Sequence, residues 1–216
     1  MEKIAPKKAA ARTADALSYT SEGRCRPRCR GVARAVVATL LWSLLVIPCP
    51  RAQQPKPSEY QVKAAYLYNF GRFVQWPTKD VVNNDGPFTI CVLGQDPFGP
   101  VLDSTLAGES LGGKPVMTRR IAKPQEASDC RILFINSKEE GRLQEILAEL
   151  NGAAVLTVSD MPAFSRRGGM IQFVLEGDKV RFEINLTSAE AAKLVLSSEL
   201  LKVATSVRKN ARAGDS

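Results

Sequence analysis

The sequence of 216 residues contains no histidine. This absence removes the commonest general base, and with it the usual serine and cysteine catalytic triads. Residues 53–216 also contain no Walker loop, no HExxH motif and no CxxC motif. Their two cysteines, without a histidine, cannot complete an ordinary zinc site. These absences argue against histidine-dependent hydrolases, nucleotide-binding loops and zinc sites, and no cofactor is expected.

A basic segment followed by an apolar one marks the first quarter of the chain. Residues 24–34, RCRPRCRGVAR, carry five arginines, and residues 35–47, AVVATLLWSLLVI, carry no charge. This order is typical of a secretory signal peptide, and the apolar run is short for a membrane span. We therefore predict a leader over residues 1–52, a linker over residues 53–58 and export from the cytoplasm. A retained membrane anchor is the alternative.

The net charge of +8 comes mostly from this predicted leader. Ten of the 30 Lys and Arg residues and three of the 22 Asp and Glu residues lie in residues 1–52, which leaves 20 basic and 19 acidic residues. A strongly basic domain would suggest nucleic-acid binding. Because the remainder is close to neutral, no nucleic-acid partner is expected.

Two cysteines, Cys91 and Cys130, remain after the predicted leader. An even pair in an oxidising compartment predicts a disulfide bond. Closing a loop of this length would stabilise the fold by roughly 3 to 4 kcal/mol. Two separate buried thiols on strands are the alternative.

Segments with strand and helix patterns alternate after the linker. Ser58 is a predicted N-cap, followed by helical spacing of apolar residues up to Pro77. Short apolar runs such as FTICVLG and CRILFIN are typical of strands buried on both faces, and SKEEGRLQEILAELN is typical of an amphipathic helix. This alternation predicts a layered α/β/α domain with a largely parallel sheet over residues 59–209.

The last third of the chain has a different pattern. Gly177 and Asp178 stand between two strand-like runs, which predicts a β-hairpin with a two-residue turn. Thr187 is then a predicted N-cap for the first of two short helices, which separate near Ser197. Residues 210–216 are predicted to be a disordered tail.

Two aspartates are the best candidates for a ligand or metal site. Asp96 and Asp160 each come just after a predicted parallel strand, and ligands bind at the carboxyl ends of such strands. The pair could share a divalent cation, as in a metal-dependent hydrolase. Each residue also has an ordinary structural interpretation, because Asp96 can cap a helix and Asp160 can start a turn.

The stretch SDMPAFSRRGGMIQF, residues 159–173, combines an aromatic residue, two arginines and two glycines. No helix pattern follows its glycines, which argues against a phosphate-binding loop. Gly168 and Gly169 are expected to give permissive backbone before a strand. Phe164, Arg166 and Arg167 are candidates for a partner-binding surface, since such residues are favoured at interfaces.

Several blocks of the sequence resemble, in order, those of the YfiR family of exported bacterial proteins. They are VKAAYLYNFGRFVQWP, ICVLGQDPFGPVLD, CRILFINS, VLTVSDMPAFSRRGGMIQFVLEGDKVRFEINL and SSELLKVATSV. The resemblance covers roughly residues 58–208 and implies a disulfide between Cys91 and Cys130. Some relatives carry a second cysteine pair around SRRGGMIQ, and this sequence has none there.

The resemblance implies a periplasmic regulator without enzymatic activity. Such a regulator binds and represses the sensory domain of an inner-membrane diguanylate cyclase of the YfiN type, which lowers cyclic di-GMP and biofilm formation. An OmpA-like outer-membrane lipoprotein is a further implied partner, and a homodimer is the implied assembly. The alternative function is a periplasmic small-molecule sensor. It would bind a metabolite in the cleft at the strand ends and pass the signal to a histidine kinase.

Overall fold

The structure is a computed structural model that describes residues 56–77 and 86–209. These residues belong to one compact unit. The predicted leader, the tail 210–216 and residues 53–55 of the predicted linker lie outside the described residues.

The first helix, α1 (Glu59–Phe73), begins where the sequence predicts. Ser58 accepts a hydrogen bond from the Gln61 amide, and the Gln61 side chain accepts one from the Ser58 amide, which completes a capping box. The helix ends before Pro77, because the chain turns at Val74 into a short strand. None of the helices in the described ranges is long and apolar enough to cross a membrane.

An eight-stranded sheet forms the centre of the domain, in the order β3-β4-β2-β5-β6-β7-β8-β10. Neighbouring strands are parallel except in the pairs β3–β4 and β7–β8. The two remaining strands, β1 and β9, form an antiparallel pair of their own. The strands are β1 (Val74–Gln75), β2 (Phe88–Leu93), β3 (Ser110–Leu111), β4 (Lys114–Ile121), β5 (Ile132–Ile135), β6 (Leu156–Ser159), β7 (Ile171–Glu176), β8 (Lys179–Asn185), β9 (Val195–Leu196) and β10 (Ser206–Arg208).

Alternate residues of the central strands enter two separate apolar cores. Ile90 and Val92 of β2 face the first core, whereas Cys91 and Leu93 face the second. The first core is covered by α1 and by the helices α2 (Pro100–Leu106), α4 (Leu186–Ala191) and α5 (Ser198–Val203), and the second by α3 (Leu143–Glu149). The prediction of a layered α/β fold with a largely parallel sheet and a C-terminal hairpin is confirmed.

The hairpin turn has the predicted residues, since β7 ends at Glu176 and β8 begins at Lys179. Gly177 has φ +58°, a left-handed conformation that glycine adopts without strain. Two predicted helix caps are wrong. Gly99 stands at the N-cap of α2, three residues beyond Asp96, and Asn185 rather than Thr187 caps α4.

Candidate functional site

The two candidate carboxylates lie at the carboxyl edge of the sheet. Asp96 follows β2 and Asp160 follows β6, with β5 between these strands. Asn136, which follows β5 and is only 6% exposed, donates from Nδ2 to the Gln95 carbonyl oxygen at 2.6 Å. The edge between the two aspartates is therefore occupied by the protein's own polar groups.

Asp96 belongs to an ion-pair cluster that joins β4 to α2. Its Oδ2 lies 2.8 Å from Arg120 Nε, and its Oδ1 accepts a hydrogen bond from the Phe98 amide at 2.8 Å. Arg120 also contacts Asp103 at 2.6 Å and donates to the Gly99 carbonyl oxygen at 2.9 Å. The hydrogen bond from Arg120 lowers the pKa of Asp103, and the same bond raises the pKa of Arg120. The carboxylate of Asp96 is thus ion-paired within the fold, and it shares Arg120 with Asp103.

Asp160 is paired with a buried lysine of α1. Lys63 is 2% exposed, and its Nζ lies 2.7 Å from Asp160 Oδ2 and 2.5 Å from Glu59 Oε1. The ammonium also stands 4.7 Å from the centre of the Tyr60 ring, in the range of a cation–π contact. Burial lowers the pKa of Lys63, but the hydrogen bonds to Asp160 and Glu59 outweigh it and raise the pKa above its usual value.

The structure therefore gives the two aspartates different cations instead of a shared metal. Arg120 reaches Asp96 from β4, and Lys63 reaches Asp160 from α1. Among the described residues there is no group of three or more Cys, Asp or Glu side chains that could hold a metal ion. Each of the two carboxylates is thus ion-paired with a side chain of the protein itself, and this arrangement gives no support to a divalent cation shared by Asp96 and Asp160.

A groove of about 510 Å³ also lies at the carboxyl edge, beside Asp160. It runs between the N-terminal half of α1 and the β7–β8 hairpin, and Asp96 and Asp160 do not line it. Its apolar wall includes Tyr66 and Leu175, of which Leu175 is 57% exposed. Its polar lining includes Lys56, Glu59, Asp178, Lys179 and Arg181. The carboxyl edge of the sheet therefore has a cleft, as predicted, but residues other than Asp96 and Asp160 line it.

The SRRGG stretch forms a 3₁₀ turn, Phe164–Arg167, between β6 and β7. Phe164 is 0% exposed and packs in the second core, so its prediction as a partner-binding residue is wrong. A Cβ at Gly169 would stand 2.1 Å from the Phe164 ring, and Gly168 has φ +107°. Gly168 therefore has the permissive backbone conformation that was predicted, whereas Gly169 is needed for its close contact with the Phe164 ring.

The two arginines of this turn have different surroundings. Arg167 Nη1 lies 2.7 Å from Glu140 Oε1, and Arg167 also donates to the Glu140 carbonyl oxygen. Arg166 is exposed and has no side-chain partner among the described residues. Arg166 thus remains available for a contact with another molecule.

A buried polar network that the sequence did not reveal holds the turn in place. The Ser165 amide donates to Gln172 Oε1 at 3.1 Å, and Asn185 Nδ2 donates to the Ser165 carbonyl oxygen at 2.8 Å. The Ser165 hydroxyl stands 3.0 Å from Glu183 Oε2. These contacts tie the turn to β7 and β8, so the position of Arg166 is fixed by the sheet.

Cys91 and Cys130 form the predicted disulfide bond, with their Cα atoms 5.9 Å apart. They are 0% and 2% exposed, inside the second core. Cys91 lies on β2, and Cys130 ends the 3₁₀ segment Pro124–Asp129 that precedes β5. The bridge therefore fastens this segment to the centre of the sheet.

One solved structure supports the fold, and a second has a weaker similarity. A conserved domain protein from Vibrio cholerae O1 biovar eltor is similar over 70% of this chain and 60% of its own, with a TM-score of 0.50 and 12% identity. The ABC domain in complex with L-Trp from Streptococcus pneumonia is similar over 56% of this chain and 55% of its own, with a TM-score of 0.41 and 11% identity. The chain thus spans less than two thirds of either structure.

A family comparison covers most of the described domain. The matched family is described as YfiR/HmsC-like, and the match extends over residues 60–205. This range includes α1 except its first residue, all strands of the central sheet except β10, and both cysteines of the disulfide. The protein therefore belongs to the YfiR/HmsC-like family.

Proposed function

We propose that this protein is a periplasmic regulator, without enzymatic activity, that binds and represses the sensory domain of an inner-membrane diguanylate cyclase. The observation that carries the proposal is the family match over residues 60–205. That family supports a role in the regulation of cyclic di-GMP signalling, and repression would lower cyclic di-GMP and biofilm formation. The neutralised carboxylates at the strand ends fit a binding protein better than a hydrolase.

Repression needs only a difference in affinity. A regulator that binds the inactive receptor conformation more tightly than the active one shifts the receptor towards inactivity by that ratio. A shift from 1:99 to 99:1 requires about 10⁴-fold tighter binding to the inactive state. A rigid surface lowers the entropic cost of binding either conformation. The difference in affinity must therefore come from contacts that the inactive conformation makes and the active one does not.

Arg166 is the residue we assign to the receptor contact. It is exposed, it is held by a buried network, and its guanidinium has no partner in the part of the chain that the structure describes. Arg167, its neighbour, is already engaged by Glu140. Arginine is enriched among the residues that dominate binding energy at interfaces.

The test measures binding of the purified protein to the periplasmic domain of the membrane protein encoded beside it. Arg166→Ala should weaken binding by about tenfold or more at unchanged thermal stability. Arg208→Ala, which changes an exposed arginine on β10, is the matched control and should leave binding unchanged. No binding by the unmodified protein would overturn the proposed function, and equal effects of the two substitutions would overturn the assignment of Arg166.

Two further partners belong to this proposal. A homodimer would present two receptor-binding surfaces, and an OmpA-like outer-membrane lipoprotein would relieve repression by capturing the regulator. Light scattering of the purified protein tests the dimer. Competition between the lipoprotein and the receptor domain tests the capture.

The groove favours a second candidate function, a periplasmic small-molecule sensor. Its volume of about 510 Å³ lies within the usual range of ligand sites. A bound metabolite would raise the melting temperature by mass action and could act through a histidine kinase or tune repression. Leu175→Asp should abolish such a shift, whereas Met117→Asp, at a similarly exposed residue outside the groove, should not. A metabolite whose shift survives Leu175→Asp does not bind in this groove.

A further inference from the structure

One edge of the central sheet is covered over only part of its length. The last strand, β10, pairs with β8 at Glu183–Asn185, and beside this pairing the Thr205 amide donates to the Phe182 carbonyl oxygen. No strand in the described part of the chain pairs with the same edge of β8 at Lys179–Arg181. The backbone groups of an uncovered strand edge can pair with another chain.

This uncovered edge forms one wall of the groove of about 510 Å³. All three residues of Lys179–Arg181 line the groove, and α1 forms the opposite wall. Alternate residues of a strand direct their backbone groups to the same edge, so Val180 directs its amide and carbonyl groups into the groove, as Phe182 directs its carbonyl oxygen towards Thr205. The Tyr66 hydroxyl stands 3.5 Å from the Val180 carbonyl oxygen, which is too far for a strong hydrogen bond.

The two faces of the sheet beside this edge have different chemistry. Val180 is 7% exposed in the first core, and Leu175, its partner on β7, shares that face but is 57% exposed. Lys179 and Arg181 alternate with Val180 and are exposed on the opposite face. A strand added at this edge therefore needs apolar residues on the face towards α1 and acidic residues beside Lys179 and Arg181.

The two cations of this edge are available for such a contact. Lys179 has no side-chain partner among the described residues. Arg181 Nε lies 4.0 Å from Glu176 Oε2, and both side chains are about half exposed, so this pair is weak. The other charged residues of the groove are already paired, namely Lys56 with Asp178 and Glu59 with Lys63. The groove thus has an excess of positive charge along β8.

We propose that the uncovered edge of β8 binds an extended segment of a protein partner by strand addition, and that acidic and apolar residues alternate in this segment. The inference rests on the proposed function, since the receptor supplies the segment. Main-chain hydrogen bonds at Val180 give affinity, and the alternating side chains give specificity. The same edge of a second copy does not fit, because pairing the two edges would place lysine and arginine side chains together.

The experiment measures binding of a short, fluorescently labelled peptide of alternating Glu and Val to the purified protein, by fluorescence anisotropy at pH 7. The dissociation constant should lie below about 1 mM. A peptide of the same sequence with methylated backbone nitrogens has lost its amide donors, and it should bind about tenfold more weakly or worse. No binding of the first peptide at about 1 mM, or equal binding of both peptides, would overturn the proposal.

Charge exchange tests the assigned side chains. The variant Lys179→Glu/Arg181→Glu should bind the Glu–Val peptide about tenfold more weakly or worse, and should prefer a peptide with Lys in place of Glu. The control Lys202→Glu/Arg208→Glu changes the net charge equally at two exposed residues outside the groove, and should keep the original preference. Equal responses of the two variants would contradict the assignment.

The peptide measurement is made without the receptor, so it separates this inference from the proposed function. A protein that binds the receptor domain but not the Glu–Val peptide contradicts the strand addition alone. A protein that binds the peptide but not the receptor domain contradicts the proposed function.

Discussion

Removal of the buried ammonium of Lys63 should destabilise the protein more than removal of any exposed cation. In Lys63→Met the carboxylate of Asp160 loses its partner at 2.7 Å, and Glu59 loses one at 2.5 Å. Breaking a buried ion pair typically costs about 3 to 5 kcal/mol. Because the side chains of Asp160 and Glu59 are 17% and 39% exposed, water can solvate them in part, and we expect about 2 to 3 kcal/mol.

Urea unfolding at pH 7 measures this loss, with Lys56→Met as the control. Lys56 pairs with Asp178 at 3.1 Å, but these side chains are 71% and 87% exposed, so less than about 1 kcal/mol should be lost. The double variant Lys63→Met/Asp160→Asn removes both buried charges and should recover stability to within about 1 kcal/mol of the original protein. Equal losses for the two lysines, or no recovery in the double variant, would refute the reasoning.

The loss of stability in Lys63→Met should depend on pH, because the pKa of Lys63 is raised in the folded state. A cation whose pKa is higher in the folded state contributes its full stability below the unfolded pKa of about 10.4. The contribution is lost as the pH rises through the still higher folded pKa. The stability difference between the original protein and Lys63→Met should therefore be constant from pH 7 to pH 9 and shrink only in strong alkali.

Two other substitutions test the packing of the second core. Gly169→Ala places a methyl group 2.1 Å from the Phe164 ring and should cost about 1 to 3 kcal/mol, whereas Gly141→Ala, which meets nothing within 4 Å, should be neutral or slightly stabilising in thermal unfolding. Replacing Cys91 and Cys130 by serine opens a loop with a sequence separation of 39 and should lower the free energy of unfolding by roughly 3 to 4 kcal/mol. A loss below about 1 kcal/mol in urea unfolding would show that the bridge adds little.

The fold was predictable because its local signals agree with its tertiary structure. The strands β2, β5 and β6 are buried at every position, and they appear in the sequence as mainly apolar runs, with Thr89, Thr157 and Ser159 as buried polar exceptions. Gly177 and Asp178 marked the hairpin because a two-residue turn favours such residues. The wrong helix caps differ from the observed ones by two or three residues. The Asp96 side chain accepts from the Phe98 amide in the turn before α2, and Asn185, two residues before Thr187, caps α4.

The candidate site was less predictable, because its contacts join distant parts of the chain. Lys63 and Asp160 are 97 residues apart, and only the i,i+4 spacing of Glu59 and Lys63 gave a local signal. That spacing is usual on solvent-exposed helices, so it does not indicate a buried ammonium. Phe164 was misassigned for a similar reason. An aromatic residue beside two arginines resembles an interface, and its burial depends on the close approach of Gly169.

At the carboxyl edge of the sheet, we expect different residues to serve folding stability and receptor binding. Lys63 and Arg120 neutralise the aspartates that a ligand or cation would otherwise use, and in doing so they fasten α1 and α2 to the sheet. Substitutions of these ion-paired residues should lower the free energy of unfolding more than they weaken binding. In the function proposed above, recognition falls to Arg166, whose side chain has no partner in the described part of the chain, and to the apolar wall of the groove. Substitutions that weaken receptor binding at unchanged stability should therefore lie in the Phe164–Arg167 turn or in the groove. Substitutions that lower stability at unchanged binding should lie at the ion pairs of Lys63 and Arg120.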